Sequence, residues 1–182
     1  MSSSFPFTSG RLCLWLVATV GNRGSQPYER LQTCDDLSRW CVEAKLLGTE
    51  PDVTEKELDE VRMLREAIYR TALARRRGSA PETSDREIIN YWAAQPPLVP
   101  QLKIDEYTCE WVAQKPLEAA FAMIARDAIT LFTSPEAERL KVCAQPVCAM
   151  LFLDTSRSGQ RRWCSMNICG NRAKKINYRK SK

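Results

Sequence analysis

Four of the eight cysteines stand in the last quarter of the chain, in the pattern Cys143-x4-Cys148-x15-Cys164-x4-Cys169. Two closely spaced pairs around a medium loop are the layout of a structural zinc site, because each short loop delivers two sulfurs to one tetrahedral ion. The chain contains no histidine. Any zinc here is therefore held by Cys143, Cys148, Cys164 and Cys169 alone, and such a closed site keeps no position for catalytic water. A disulfide framework would require export, and a redox pair is usually C-x-x-C rather than C-x4-C. An iron–sulfur cluster also uses four cysteines, but the symmetric spacing and the basic surroundings favour one structural zinc ion. Cys13, Cys34, Cys41 and Cys109 lie in apolar contexts and read as small buried hydrophobes.

The residues around the pairs fit a metal-held module. "AMLFLDTS" reads as a strand leaving the first knuckle, "RSGQ" as a turn, and "RRWC" as the return into the second knuckle, with Gly170 suiting a tight backbone there. The obvious core is only Leu151, Phe152, Leu153, Trp163 and Met166, so metal binding must supply the missing folding free energy. After Cys169, "GNRAKKINYRKSK" continues as a helix with Arg172, Lys175 and Arg179 at spacings of three and four. From Arg139 onward, eleven basic side chains face a single acid, Asp154, giving +10; the whole-chain +5 leaves −5 for the rest. Four thiolates and one divalent ion lower the segment only to about +8. That surplus points to a polyanion, with Arg157, Arg161, Arg162, Arg172, Lys174, Lys175 and Arg179 as candidate nucleic-acid contacts. A solvated basic tail is the bland alternative.

The elements that must position this module read as helices. Asp35 or Asp36 can cap a helix carrying Leu37, Trp40, Cys41, Ala44 and Leu47, with Gly48 as its stop. Thr54 and Glu57 form a capping-box pattern ahead of a long helix that keeps Leu58, Val61, Leu64, Ile68 and Leu73 on one face and ends at Gly78. Its closing run "RRRG" complements the helix dipole and faces water. Ser84 with Glu87 repeats the capping signature. The prolines of "PPLVPQLKIDEYTCEWVAQKP" break the helical pattern, and "LKIDEYTCEWVA" reads as a β-hairpin with a turn near Asp105 and Glu106. Pro116 opens a further helix, and Ser134-Pro135-Glu136 a fresh N-terminus. The boundary falls near 133–140, giving a mostly helical domain over 1–139 and a finger over 140–182. The expected architecture is a mainly α domain with a small β-hairpin, followed by a treble-clef or ribbon-like four-cysteine finger of β-hairpin and basic helix.

"LCLWLVATV", Leu12 to Val20, is too short to cross a bilayer. It has no convincing cleavage site after it and reads as buried core, so a cytoplasmic, non-membrane protein is expected. No nucleophile–base pair and no phosphate-cradling glycine loop is evident, and Asp35 and Asp36 are explained by helix capping. An enzyme is not expected.

"RRWCSMNICGNRAKK" resembles the CGNR zinc finger, whose motif stands here as Cys169-Gly170-Asn171-Arg172. "LFLDTSRSGQRRWC" matches its usual run-up. The preceding chain resembles the ABATE domain through "GRLCLWLVATV", "LQTCDDLSRWCVEAKLLG", "MLREAIYR" and "AAQPPLVPQL". The resemblance implies a stress-related bacterial transcription regulator whose finger binds DNA, while the helical domain senses a small-molecule effector or forms a homodimer. It also implies a ligand role for Arg11, Trp15 and Thr19 in the first segment. There the family reads like "LDxVNT", and this chain carries Trp15 and Ala18 in place of the aspartate and asparagine. A zinc-stabilised protein- or RNA-interaction module is the alternative.

Overall fold

The computed structural model describes residues 5–104 and 107–180. The first segment is a short helix, α1 (Leu12–Val17), with Cys13, Leu14, Leu16 and Val17 buried. Such an apolar stretch has no face to offer water, and it lies against the two longest helices, α3 (Glu55–Arg77) and α5 (Pro116–Thr133). α4 (Thr83–Ala94) packs on both of those helices. Trp92 of α4 meets Phe121 of α5 edge-on at 5.0 Å, a favoured arrangement of two ring quadrupoles.

α3 starts and stops as its sequence dictates. Thr54 and Glu57 make the reciprocal capping box, and Gly78 closes the helix at φ 70°. The helix before it, α2 (Cys34–Glu43), is capped differently from expectation. Thr33 is the N-cap, and Asp36 reaches back to the backbone N–H of Thr33 and Gln32. Its C-terminus turns through Lys45 at φ 59°, with the Leu46 N–H on the Cys41 carbonyl, rather than through Gly48. α4 also departs from its expected cap, because its N-cap is Glu82 and makes no side-chain bond. Asp85 points inward instead and takes three hydrogen bonds from the Arg70 guanidinium. That pairing of a buried carboxylate with a half-exposed guanidinium ties the start of α4 to α3.

The expected hairpin is present as β3 (Val99–Leu102) and β4 (Cys109–Val112), paired antiparallel. Its turn at Asp105 and Glu106 lies outside the described residues. Cys13 and Cys41 are buried as anticipated, but Cys109 is exposed on β4 and Cys34 is only half-buried at the start of α2. No helix among the described residues is long and apolar enough to cross a membrane.

Two short strands, β1 (Val20–Gly21) and β2 (Tyr28–Glu29), join antiparallel just after α1. An ion network ties them to α3. Arg65 is 4% exposed and donates to both oxygens of Glu29 (2.6 and 2.7 Å), to the Thr19 hydroxyl (3.0 Å) and to Glu66 (2.8 Å). Arg23 grips Glu66 through two bonds of 2.9 Å and lies 4.0 Å above the Tyr69 ring. Removing Arg65 leaves Glu29 and Glu66, both partly buried, without the buried guanidinium they share. Arg65→Ala should therefore cost about 3 kcal/mol, in line with broken buried pairs. Urea unfolding measures it, and a loss below about 1 kcal/mol would match an exposed pair instead.

Candidate metal centre and basic helix

A three-residue strand, β5 (Leu140–Val142), pairs antiparallel with β6 (Leu151–Leu153), with Leu140 opposite Leu153 and Val142 opposite Leu151. This hairpin brackets the first knuckle. Cys143 N–H bonds the Met150 carbonyl at 2.8 Å, and Cys148 N–H bonds that of Gln145 at 2.9 Å. The turn positions Ala149 at φ 46°. The partner of β6 is therefore β5, not a returning strand through "RRWC". The chain from 154 to 163 is shaped by a side chain instead. Asp154, fully buried, accepts from Lys141 Nζ (2.8 Å), from Ser156 N–H (3.0 Å) and hydroxyl (2.6 Å), and from Arg161 N–H (2.7 Å). Burial alone would raise the Asp154 carboxyl. The bonds from Lys141, Ser156 and Arg161 outweigh it and hold the group well below the ordinary carboxylate range, because each favours the charged form.

The second pair sits at the root of the last helix. Residues Met166–Gly170 form a wide helical turn in which the N–H groups of Cys169 and Gly170 both bond the Ser165 carbonyl at 3.0 Å. It runs directly into α6 (Asn171–Lys180). Gly170 has no left-handed backbone, and a Cβ there would come 3.0 Å from the Met166 sulfur, a contact that the half-exposed Met166 side chain could relieve by shifting. Arg161 closes the turn from below. Its guanidinium donates to the carbonyls of Trp163 (3.0 Å) and Cys164 and lies 4.9 Å above the Phe152 ring.

The four sulfurs converge. Cys143, Cys148, Cys164 and Cys169 are all buried, with their sulfurs within 4.8 Å of one another. Sγ of Cys164 lies 3.7 Å from those of Cys148 and Cys169. Ligands about 2.3 Å from a tetrahedral zinc stand about 3.8 Å apart, whereas a disulfide would close to about 2.05 Å. The donor set fits zinc chemically as well. Hydrogen bonds from the Cys148 and Cys164 thiols favour the thiolate of Cys143. The contacts with Cys143 and Cys148 push the Cys164 thiol up, and burial together with the charge of Cys148 and Cys143 pushes up that of Cys169. Four thiolates this close repel one another unless a dication stands among them. The cluster is the site of one structural zinc ion, in which these four residues would be the ligands.

The helical region forms part of its wall. Ala18, at the end of α1, is buried in one cluster with the four cysteines, Met150 and Phe152. Arg30 bonds the Ala18 carbonyl at 3.3 Å. Gly24 in the β1–β2 loop presses on the first knuckle so closely that a Cβ would fall 1.8 Å from the Pro146 carbonyl oxygen. Leu140, Leu151 and Leu153 belong to the same apolar core as α1, α3 and α5. Leu153 N–H bonds the Ser9 carbonyl at 2.9 Å.

The expected basic residues divide into two groups. Arg161 is spent on the knuckle carbonyls. Arg157, Arg162, Arg172, Lys174, Lys175 and Arg179 are exposed and make no ion pair with the described residues; Arg162 lies 5.2 Å above the Trp163 ring. The three residues expected to hold a ligand each have partners within the protein. Arg11 pairs with Asp127 (2.7 Å) and Glu136 (2.8 Å). Thr19 bonds Leu16 and Arg65, and Trp15 packs edge-on against Phe7 at 5.4 Å. Arg11 and Thr19 therefore serve internal bonds that brace α1. The organising role of Asp154 was missed in sequence, although its isolation as the only acid after Arg139 was a usable signal.

Two measurements follow for the metal. The purified protein should carry one zinc per chain, and cobalt substitution should give thiolate-to-metal charge transfer; Cys169→Ser should lose both. Chelation should also lower the unfolding midpoint of the helical region, by about 2–4 °C if about 1 kcal/mol of shared core is lost. An unchanged midpoint would mean that the two cores unfold independently.

Residues 10–135 match the ABATE family, described as "Putative stress-induced transcription regulator". Residues 139–182 match the CGNR zinc finger. No curated protein matches the chain. The chain belongs to the ABATE family and ends in a CGNR zinc finger.

Proposed function

We propose that this protein is a cytoplasmic transcription regulator that binds duplex DNA through its finger, with the helical region sensing a ligand or pairing with a second copy. The observation that carries the reading is the environment of α6. Its Arg172, Lys174, Lys175 and Arg179 are exposed without an ion pair among the described residues. Ala173 is only half-buried, and no described side chain of the helix is buried. A polar helix that packs so little of itself gains no stability from burial. It is held instead by the zinc knuckle at its first turn, and its free sides suit entry into a groove. Arg157 and Arg162, also exposed on the finger, add positive charge for phosphate contact. No catalytic step is part of this reading.

Binding to duplex DNA across a salt series tests it. Each phosphate contact should steepen the log–log slope by about 0.9. Charge reversal at Arg172 and Lys175 should flatten that slope by about 2 while leaving zinc content intact. Arg161→Gln should act the other way, loosening zinc with little effect on the slope of the remaining loaded protein. No binding at low salt, or a slope indifferent to these changes, would overturn the reading in favour of a protein- or RNA-docking finger.

A further inference from the structure

A cavity of about 230 Å³ opens where α3, α4 and α5 meet, on the helical region away from the cysteines. Its apolar wall comes from Ile89 of α4 and Ile129 and Phe132 of α5. Thr71 of α3 adds a hydroxyl, with Arg75 and Arg86 supplying guanidinium groups. Thr71 is 8% exposed, and its Oγ1 is buried with no hydrogen-bond partner. A threonine inside a helix ordinarily returns its hydroxyl to a carbonyl one turn back. A buried hydroxyl left unpaired costs stability that a partner would restore.

The charges in this lining have one sign. Arg86 is exposed and pairs with no acid among the described residues. Arg75 donates to the Phe132 carbonyl (3.2 Å) and to Glu138 (2.8 Å). Glu138 is itself largely exposed, so that pair is weak and readily exchanged. We propose that this cavity binds a small organic carboxylate, its acid group held by Arg86 and Arg75, its apolar body against Ile89, Ile129 and Phe132, and its hydrogen bonding completed by the Thr71 hydroxyl. The guanidinium fork matches a carboxylate in two parallel bonds. The volume lies below that of drug-sized sites, which limits the ligand to roughly ten heavy atoms. A bulky phosphate would set its charge against the apolar wall. Occupation of this site requires nothing of the finger.

Titration of the full-length, zinc-loaded protein with benzoate and with hexanoate, followed by amide NMR, is the test. At least one acid should saturate with shifts centred on Thr71, Ile89 and Phe132, and the matching neutral amide, benzamide or hexanamide, should bind about tenfold more weakly. Arg86→Gln, at an exposed position, should weaken the acid about tenfold without changing the unfolding midpoint of the free protein. Thr71→Val should weaken binding while raising that midpoint, because it removes the unpaired hydroxyl. The proposal is overturned if neither acid saturates below roughly 20 mM, if acid and amide bind alike, or if Arg86→Gln leaves the affinity unchanged.

Discussion

Four buried sulfurs within 4.8 Å of one another set the terms for the last forty residues. Neutral thiols make only weak mutual bonds, and ionised ones repel, so the arrangement is favourable only around a cation. Everything else in the finger serves to bring those sulfurs to one place. A three-residue hairpin presents the first pair, and a wide turn at the foot of α6 presents the second. Neither piece has enough apolar surface to fold alone. The hairpin solves its part by lending Leu140, Leu151 and Leu153 to the helical core. The turn has no such anchor and depends on the metal and on Arg161.

Charge is distributed with the same economy. Asp154, Lys141 and Arg161 form the interior set: one acid, two cations, and the backbone groups of the loop between them. With these satisfied internally, the remaining basic side chains have no acid to meet in the finger, because Asp154 is its only one. Like charges crowded on a small surface repel. The zinc-thiolate centre, at net −2, offsets part of this from beneath, and the rest is left for solvent or an anionic partner. Stability and binding thus draw on different arginines, with Arg161 inside and Arg172 outside.

Where structure followed from neighbours in sequence, reading succeeded. Thr54, Glu57 and Gly78 delimit α3 through bonds spanning at most five residues. The cysteine spacing carries its own geometry, because a knuckle is a local turn. One local signal was read in part: Asp36 stands at the start of α2 but serves as the return half of a box whose cap is Thr33. Reading was less complete where a distant partner decides. Asp85 answers to Arg70 across two helices, which shifts the start of α4. β6 pairs backward with β5 across the knuckle rather than forward. Arg11 and Thr19, marked by resemblance as ligand residues, turn out to hold Asp127, Glu136 and Arg65, partners far away in the chain.

Ala18, which the resemblance sets against an asparagine, is buried in one cluster with the four cysteines while its carbonyl receives Arg30. Alanine meets this wall without bringing a side-chain dipole beside the sulfurs. An asparagine in its place would bring an amide that must find partners or be buried unsatisfied. Trp15, which the resemblance sets against an aspartate, is half-buried and packs its ring on Phe7. The two residues serve different cores: Ala18 is buried with the four cysteines, whereas Trp15 lies against the main apolar core beside Phe7. The helical region meets the finger through Ala18, Arg30 and the loop at Gly24, so the zinc site is walled partly by residues outside the finger.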